Sequence, residues 1–216
     1  MQAYLTHTPF FDYDDKGIQQ FSDKFIEADM SNIEKAVVLY HAVRDDIAYN
    51  PYVFDPAPHA FKASECLEQG QSYCIPKAIL LGALCRLNGI PARLGLADVR
   101  NHLSSPALIE WLQSDVFVMH GYVEMYLSGK WVKATPAFDA KLCQRMGVVP
   151  LEFNGLEDSI FHEHNGEGDR HMEYLTEHGT FEDVPYEKIV ASVAQAYPHL
   201  KGNFKSRQHH SLQQES

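Results

Sequence analysis

Several features that mark other classes of protein are missing from this chain. Its apolar runs are too short to span a bilayer, and its first eight residues contain neither a basic nor an apolar segment of the kind found in secretory signals. Basic residues are in the minority, with 18 lysines and arginines against 29 aspartates and glutamates and a net charge of −11. This balance argues against a surface for nucleic acid or anionic membrane.

The cysteines also lack a pattern. The chain has four, and no two of them form a C-x-x-C pair. Without a secretory signal, this usage is typical of a protein of the reducing cytoplasm, and we expect a cytoplasmic location.

No internal repeat or low-complexity linker divides the chain. Its 216 residues, of which 45% are hydrophobic and 22% charged, have the composition of a soluble globular protein that can bury a substantial core. We therefore expect a single domain over residues 1–204. Residues 205–216 are mostly polar, which predicts a disordered tail. Residues 176–179 are predicted to be a break between elements.

The most apolar stretch predicts a buried helix. Almost every residue from Ala78 to Leu87 is apolar or small, and Gly89 follows as a stop signal. At the other end Ser72 is a candidate cap, and Pro76 is tolerated only in the first turn of a helix. Cys74 is thus predicted to lie within a residue or two of the helix start.

That position gives Cys74 a chemical interpretation. Unpaired backbone N–H groups and the positive end of the helix dipole favour a thiolate, and the same N–H groups can donate to an oxyanion. The arrangement suits acyl transfer if the chain supplies a base. The alternative is that Cys74 is a small buried apolar residue, which is how we interpret Cys66, Cys85 and Cys143.

Residues 115–135 form the clearest element, a β-hairpin with a two-residue turn at Ser128-Gly129. This turn fixes the register of the two strands. Each favourable cross-strand pair stabilises that register by roughly 0.2–1 kcal/mol. The pairs that this register predicts are Tyr126 with Trp131 and Glu124 with Lys133.

The first hairpin strand carries His120. Period-two alternation places it on one face of the strand with Val116, Val118, Tyr122 and Glu124. The other face is predicted to hold Phe117, Met119, Val123, Met125 and Leu127. A histidine among valines is either a satisfied core residue or, together with Cys74, half of a nucleophile–base pair.

A third residue would have to orient the imidazole. In the predicted register Thr135 is diagonal to His120 on the same face, within about 7–8 Å. Asp139 shares that face only if the strand continues past Pro136, which cannot donate to a sheet. The residues leave Thr135 and Asp139 as open alternatives.

Four segments between about Ala36 and Asp139 together resemble the transglutaminase-like core, a family that includes bacterial cysteine protease-like members and is related in fold to papain-like enzymes. They are Gly70-Gln-Ser-Tyr-Cys74, Leu84-Cys-Arg-Leu-Asn-Gly-Ile-Pro-Ala-Arg93, His120-Gly-Tyr-Val-Glu-Met-Tyr126 and Trp131-Val-Lys-Ala-Thr-Pro136. The resemblance implies Cys74 as nucleophile and His120 as base. Two positions differ from the family pattern, since Tyr122 stands at its usual Trp and Thr135 at its usual Asp.

Other polar residues are weaker candidates. Gln69 and Gln71 could place an amide near the oxyanion, as a glutamine does in papain-like enzymes, or could be ordinary surface residues. Tyr122 is a further candidate for oxyanion or substrate contact. Four histidines, His162, His164, His171 and His178, lie in or near an acidic, glycine-bearing segment. We interpret that segment as a solvated loop and expect no metal and no cofactor.

Together these features predict an α+β, transglutaminase-like and papain-like fold, with helices packed against an antiparallel sheet. The leading hypothesis is thiol-dependent acyl transfer or hydrolysis at a carboxamide or peptide bond, through a thioester. The expected partner is a peptide, protein or small amide, with no nucleic acid and no membrane. The alternative is a non-catalytic or degenerate member of the family that serves binding or scaffolding.

Overall fold

The computed structural model describes residues 1–161, 171–202 and 209–212, which fold as helices around an antiparallel sheet. The α-helices of these ranges are α1 (Lys16–Ser22), α2 (Asn32–Asp46), α3 (Ala63–Gln69), α4 (Cys74–Leu87), α5 (Pro106–Leu112), α6 (Ala140–Met146) and α7 (Tyr186–Ala196). The strands are β1 (Ala48–Tyr49), β2 (Gln71–Ser72), β3 (Ala92–Asn101), β4 (Val116–Leu127), β5 (Lys130–Ala134) and β6 (Met172–Phe181). The predicted α+β class is confirmed.

The main sheet has the order β5-β4-β3-β6 and is antiparallel throughout, while β1 and β2 form a small parallel pair. The predicted hairpin register is confirmed, with Tyr126 opposite Trp131 and Glu124 opposite Lys133. Glu124 and Lys133 thus face each other as predicted, but Lys133 forms its ion pair with Glu177. Glu124 instead accepts from Arg93 on β3 at 2.6 Å, because Arg93 lies directly across the other edge of β4.

Helix α4 forms the centre of the core. It packs against β4 on one side and against α2 and α3 on the other, and every residue from Cys74 to Arg86 is buried. Even Lys77 is fully buried, where its ammonium donates to the carbonyls of Arg44 and Ile47 at the end of α2. The predicted helix is confirmed, and its N-terminus lies at Cys74.

The predicted cap at Ser72 is wrong. The residue before α4 is Tyr73, whose side chain makes no capping bond. Ser72 belongs to β2, where its carbonyl accepts from the N–H of Asn50 at 2.7 Å. Ser72 thus pairs with the segment after α2 instead of capping α4. This short parallel pair brings the segment after α2 alongside the start of α4.

Strand β6 spans residues 172–181 and so replaces the break predicted at 176–179. It pairs with β3 along its whole length, with two register shifts and Gly179 at a φ of 90°. The alternation of apolar and polar residues along β6 is weak, because β6 is an edge strand with many exposed side chains. Only pairing with β3 reveals it.

An irregularity in β4 alters the predicted faces of that strand. Ala97 pairs with His120, but Val99 pairs with Phe117, so that two residues of β4 lie where β3 has one. Met119 adopts a φ of 58°, and its N–H donates to Asp98 Oδ1 at 2.9 Å. This bulge shifts the alternation by one position. Phe117, predicted on the opposite face, therefore lines the same cavity as His120.

From Gly121 onward the register is regular, and the predicted faces are correct. Met125 faces α4, where its Sδ lies 3.4 Å from Cys85 Sγ, and Gly121 and Val123 share that face by alternation. His120, Tyr122 and Glu124 share the other face. No helix among the described residues is long and apolar enough to cross a membrane.

Candidate active site

Cys74 is the first residue of α4 and lies against β4. A Cβ built on Gly121 would be only 2.8 Å from Ile75 Cα, so the two backbones are in contact. Cys74 is 8% exposed. Burial raises the pKa of its thiol to about 11, although the backbone N–H groups of Gly121 and Ile75 act on the sulfur to lower it. In this state the thiol is neutral at pH 7.

The sulfur opens onto a cavity of about 70 Å³ with aromatic walls. These walls are Tyr49, Phe54, Tyr73, Trp111, Phe117 and Tyr197. Such surroundings account for the raised pKa, because they offer a thiolate little solvation. The groups that could solvate a thiolate at Cys74 are the backbone N–H groups at the start of α4 and the N–H of Gly121.

His120 opens onto a different cavity, of about 110 Å³. The residue is 3% exposed, and burial lowers the pKa of the imidazole to about 4. Nε2 has no hydrogen-bond partner within the described chain, and the ring lies 5.5 Å from the ring of Phe161. The imidazole is therefore neutral at pH 7 and has a nitrogen available for a proton or a ligand.

Two aromatic residues, Tyr49 and Phe117, line both cavities, so that the cavity of Cys74 adjoins the cavity of His120. In the part of the chain that the structure describes, no hydrogen bond joins Cys74 to His120. The pleat of β4 explains this arrangement, since Gly121 faces α4 and its neighbour His120 must point to the other side. The start of α4 and β4 are thus in backbone contact, but the side chains of Cys74 and His120 open onto adjoining cavities.

Neither candidate for the third residue is hydrogen-bonded to His120. Thr135 follows the last residue of β5, is almost fully buried, and has an Oγ1 without a hydrogen-bond partner among the described residues. It lies near Tyr174, whose pKa burial raises to about 12 and the Thr135 hydroxyl lowers in part. The Thr135 hydroxyl therefore lies close to the Tyr174 hydroxyl.

Asp139 lies beyond the sheet, because β5 ends before Pro136 and the chain then enters α6. Its Oδ1 accepts the N–H of Leu142 as the cap of α6, and its Oδ2 accepts the N–H of Tyr49, both at 2.9 Å. The carboxylate thus ties α6 to β1. Among the described residues, then, no carboxylate orients the ring of His120.

The two glutamines border a third cavity, of about 350 Å³, whose lining does not include Cys74. Gln69 is exposed and donates to Glu65 at 2.9 Å. The side-chain oxygen of Gln71 accepts from Asn50 Nδ2 at 3.0 Å. Both side chains are therefore hydrogen-bonded to neighbouring residues. Tyr73 lines both this cavity and the cavity of Cys74.

Tyr122 lines neither the Cys74 nor the His120 cavity. Its ring lies across Gly95 on β3, so closely that a Cβ at Gly95 would come within 2.1 Å of it, and Lys133 Nζ is 5.2 Å from its centre. An aromatic ring covering a strand glycine is a known way to fill the space that the missing side chain leaves.

We expect Gly95→Ala to destabilise the protein by about 2 kcal/mol, because the new methyl group collides with the Tyr122 ring. In a double-mutant cycle, Tyr122→Ala should cost less in the Gly95→Ala background than in the wild type, with a coupling of about 1–2 kcal/mol. Urea unfolding of the four proteins measures this. Additive effects would contradict the assigned contact.

Reasoning from the sequence missed Tyr49, Phe117 and Asp98. Tyr49 and Phe117 form the shared wall of the two cavities, and Asp98 accepts from both Met119 N–H and His178 Nε2, at 2.9 and 2.8 Å. Asp98 thereby stabilises the bulge that turns Phe117 toward His120. No local pattern marks these residues, because each acts through a partner distant in sequence.

The histidines weighed as metal ligands are not brought together by the described chain. His162 and His164 lie outside the described residues. Among those that are described, no group of three or more His, Cys, Asp or Glu side chains is placed to hold a metal ion. His178 instead pairs with Asp98.

Comparison with known proteins identifies the family. No curated protein matches the sequence significantly. A crystal structure of a protein provisionally described as a cysteine protease, from Cytophaga hutchinsonii, is similar with a TM-score of 0.46 and 18% identity, over 62% of this chain and 40% of the other. The chain thus spans less than half the length of that protein. The sequence model of the transglutaminase-like superfamily matches residues 19–136, more than half of the chain and including Cys74 and His120. The chain belongs to the transglutaminase-like superfamily.

Proposed function

We propose that the protein transfers an acyl group from a carboxamide or peptide bond to water or an amine, through a thioester on Cys74. The observation that carries this proposal is the contact between the start of α4 and β4, where the N–H of Gly121 acts on the Cys74 sulfur. Membership of the superfamily supports it independently, since a cysteine-based reaction is what the family pattern implies.

In the proposed reaction the Cys74 thiol gives its proton to Nε2 of His120 as the sulfur attacks the carbonyl carbon. The resulting oxyanion accepts hydrogen bonds from backbone N–H groups at the start of α4. The C–N bond then breaks, and His120 returns the proton to the leaving amine. Water or a second amine attacks the thioester, and its proton passes through His120 to the sulfur.

The two pKa values define what substrate binding has to accomplish. Burial keeps both the thiol and the imidazole neutral, with pKa values of about 11 and about 4, so the resting protein holds no thiolate–imidazolium pair. The neutral imidazole is the form that a general base requires. Substrate binding has to bring the thiol and the imidazole within reach of each other and stabilise the charges as they form.

We expect p-nitrophenyl acetate, an activated ester, to acetylate Cys74, detected by peptide mass mapping and by a burst of p-nitrophenolate. Cys74→Ala should abolish the burst, and His120→Ala should lower its rate by about 10²–10⁴-fold because the general base is lost. The matched control is Cys85→Ala, which removes another buried thiol of α4 and should leave the burst unchanged. Acetylation confined to other cysteines, or an unchanged rate in His120→Ala, would refute the proposal.

A non-catalytic binding role is the second candidate, and one observation favours it. His120 has no carboxylate partner among the described residues, and its cavity adjoins that of Cys74 without joining it. A domain of this kind would retain the cavities for ligand binding alone. It predicts no acetylation of Cys74 above the level of Cys85 in the same mass map.

A further inference from the structure

The cavity beside His120 is lined in part by a distant segment of the same chain. Leu212 is half-buried and forms part of the wall of that cavity, together with Phe117, Phe138 and Leu142. Within the described residues 209–212, His210 contacts the segment that follows β1. These four residues fall within the stretch predicted to be a disordered tail.

The contacts of this segment are those that a bound peptide would make. The carbonyl of His210 accepts from Asn50 Nδ2 at 2.9 Å, and the His210 ring packs edge-on against Tyr52 at 5.7 Å. Two positions later the Leu212 side chain contacts the apolar core. A main-chain carbonyl and one apolar side chain are features that many peptides can present, so the recognition does not depend on this sequence alone.

The course of the segment passes along the candidate site. His209 lines the cavity of Gln69 and Gln71, whereas Leu212 lines the cavity of His120. Between them the segment lies against Asn50 and Tyr52, whose neighbours Tyr49 and Pro51 wall the Cys74 cavity. The segment thus borders both the cavity of Gln69 and Gln71 and the cavity of His120.

We propose that the cavity beside His120 receives an apolar side chain of an extended peptide substrate, and that residues 209–212 occupy this peptide site in cis. This inference rests on the proposed function for the identity of the ligand as substrate. Leu212 would act as a competitor held at high local concentration, which a substrate has to displace.

The test is binding of a fluorescein-labelled peptide, His-His-Ser-Leu-Gln-Gln, measured by fluorescence anisotropy. We expect the full-length Leu212→Glu protein to bind it at least about tenfold more tightly than the wild type, because the internal competitor is removed. The same peptide with Glu in place of Leu should bind neither protein. Leu175→Glu, which alters a leucine that is 39% exposed on β6, is the matched control and should behave as the wild type.

Equal affinity of the wild type and Leu212→Glu, or no binding to either, would overturn the inference. Leu212→Ala, which is milder, should change affinity in the same direction and keeps the test decisive if the glutamate variant does not fold. Adding Cys74→Ala to Leu212→Glu should leave peptide binding unchanged. In proteins that retain Cys74, peptide binding without acetylation of Cys74 would count against the proposed function, and acetylation of Cys74 without peptide binding would count against this inference.

Discussion

Valine in place of Gly121 is expected to lower the free energy of unfolding by about 3 kcal/mol and to abolish acetylation of Cys74. The Cβ at this position would lie 2.8 Å from Ile75 Cα and 3.2 Å from Ile75 N, which are backbone atoms of the first turn of α4. Because that turn is part of the core, β4 must move away from it. The N–H of Gly121 would then leave the Cys74 sulfur.

Urea unfolding and the p-nitrophenolate burst measure the two effects of Gly121→Val. Truncation of the neighbouring side chain, in the double variant with Ile75→Ala, should not restore stability, since the collision is with Ile75 backbone. Gly95→Ala differs in this respect from Gly121→Val, because the new methyl group collides with the Tyr122 side chain, which Tyr122→Ala removes. Wild-type stability and acetylation in Gly121→Val would show that the helix start and β4 are not in contact.

Acidification from pH 7 to pH 4 is expected to cost the wild type up to about 3 kcal/mol more than His120→Leu. Burial lowers the pKa of His120 from 6.5 to about 4 in the fold. Between these values the unfolded chain binds a proton that the folded protein does not, so stability falls as the pH drops through this window. Leucine has no proton to bind and removes this contribution.

Urea unfolding of both proteins at intervals from pH 7 to pH 4 measures that difference, with no need for a substrate. The stability of each protein at pH 7 serves as its own reference, so that any loss of packing in the variant cancels. Parallel loss of stability in the two proteins would show that His120 is solvated or paired, in which case its cavity could not hold a neutral base.

Local pattern was sufficient for the two elements that carry the candidate pair. The apolar run before Gly89 and the position of Pro76 determine α4, because a buried helix needs apolar residues on all sides and proline is tolerated only in its first turn. The turn at Ser128-Gly129 determines the hairpin register, because its two residues set which positions are opposite. Family membership also followed from residues in these elements.

The geometry of the site depended on contacts between distant residues. Asp98 stabilises the bulge at Met119, and the bulge decides that Phe117 and His120 share a cavity. Asp139 is committed to Tyr49 and to α6 because the chain leaves the sheet at Pro136. Neither outcome can be read from spacing, since a one-residue bulge reverses the faces of a strand.

The sequence by itself therefore determined the family, the helix that begins at Cys74 and the strand that carries His120. Only the tertiary structure decided that Gly121, rather than His120, lies against the helix start, and that residues 209–212 pass along the site. The physical reason is that helix and hairpin formation depend on neighbours in the chain, whereas the direction of a side chain across a sheet depends on every residue paired beside it.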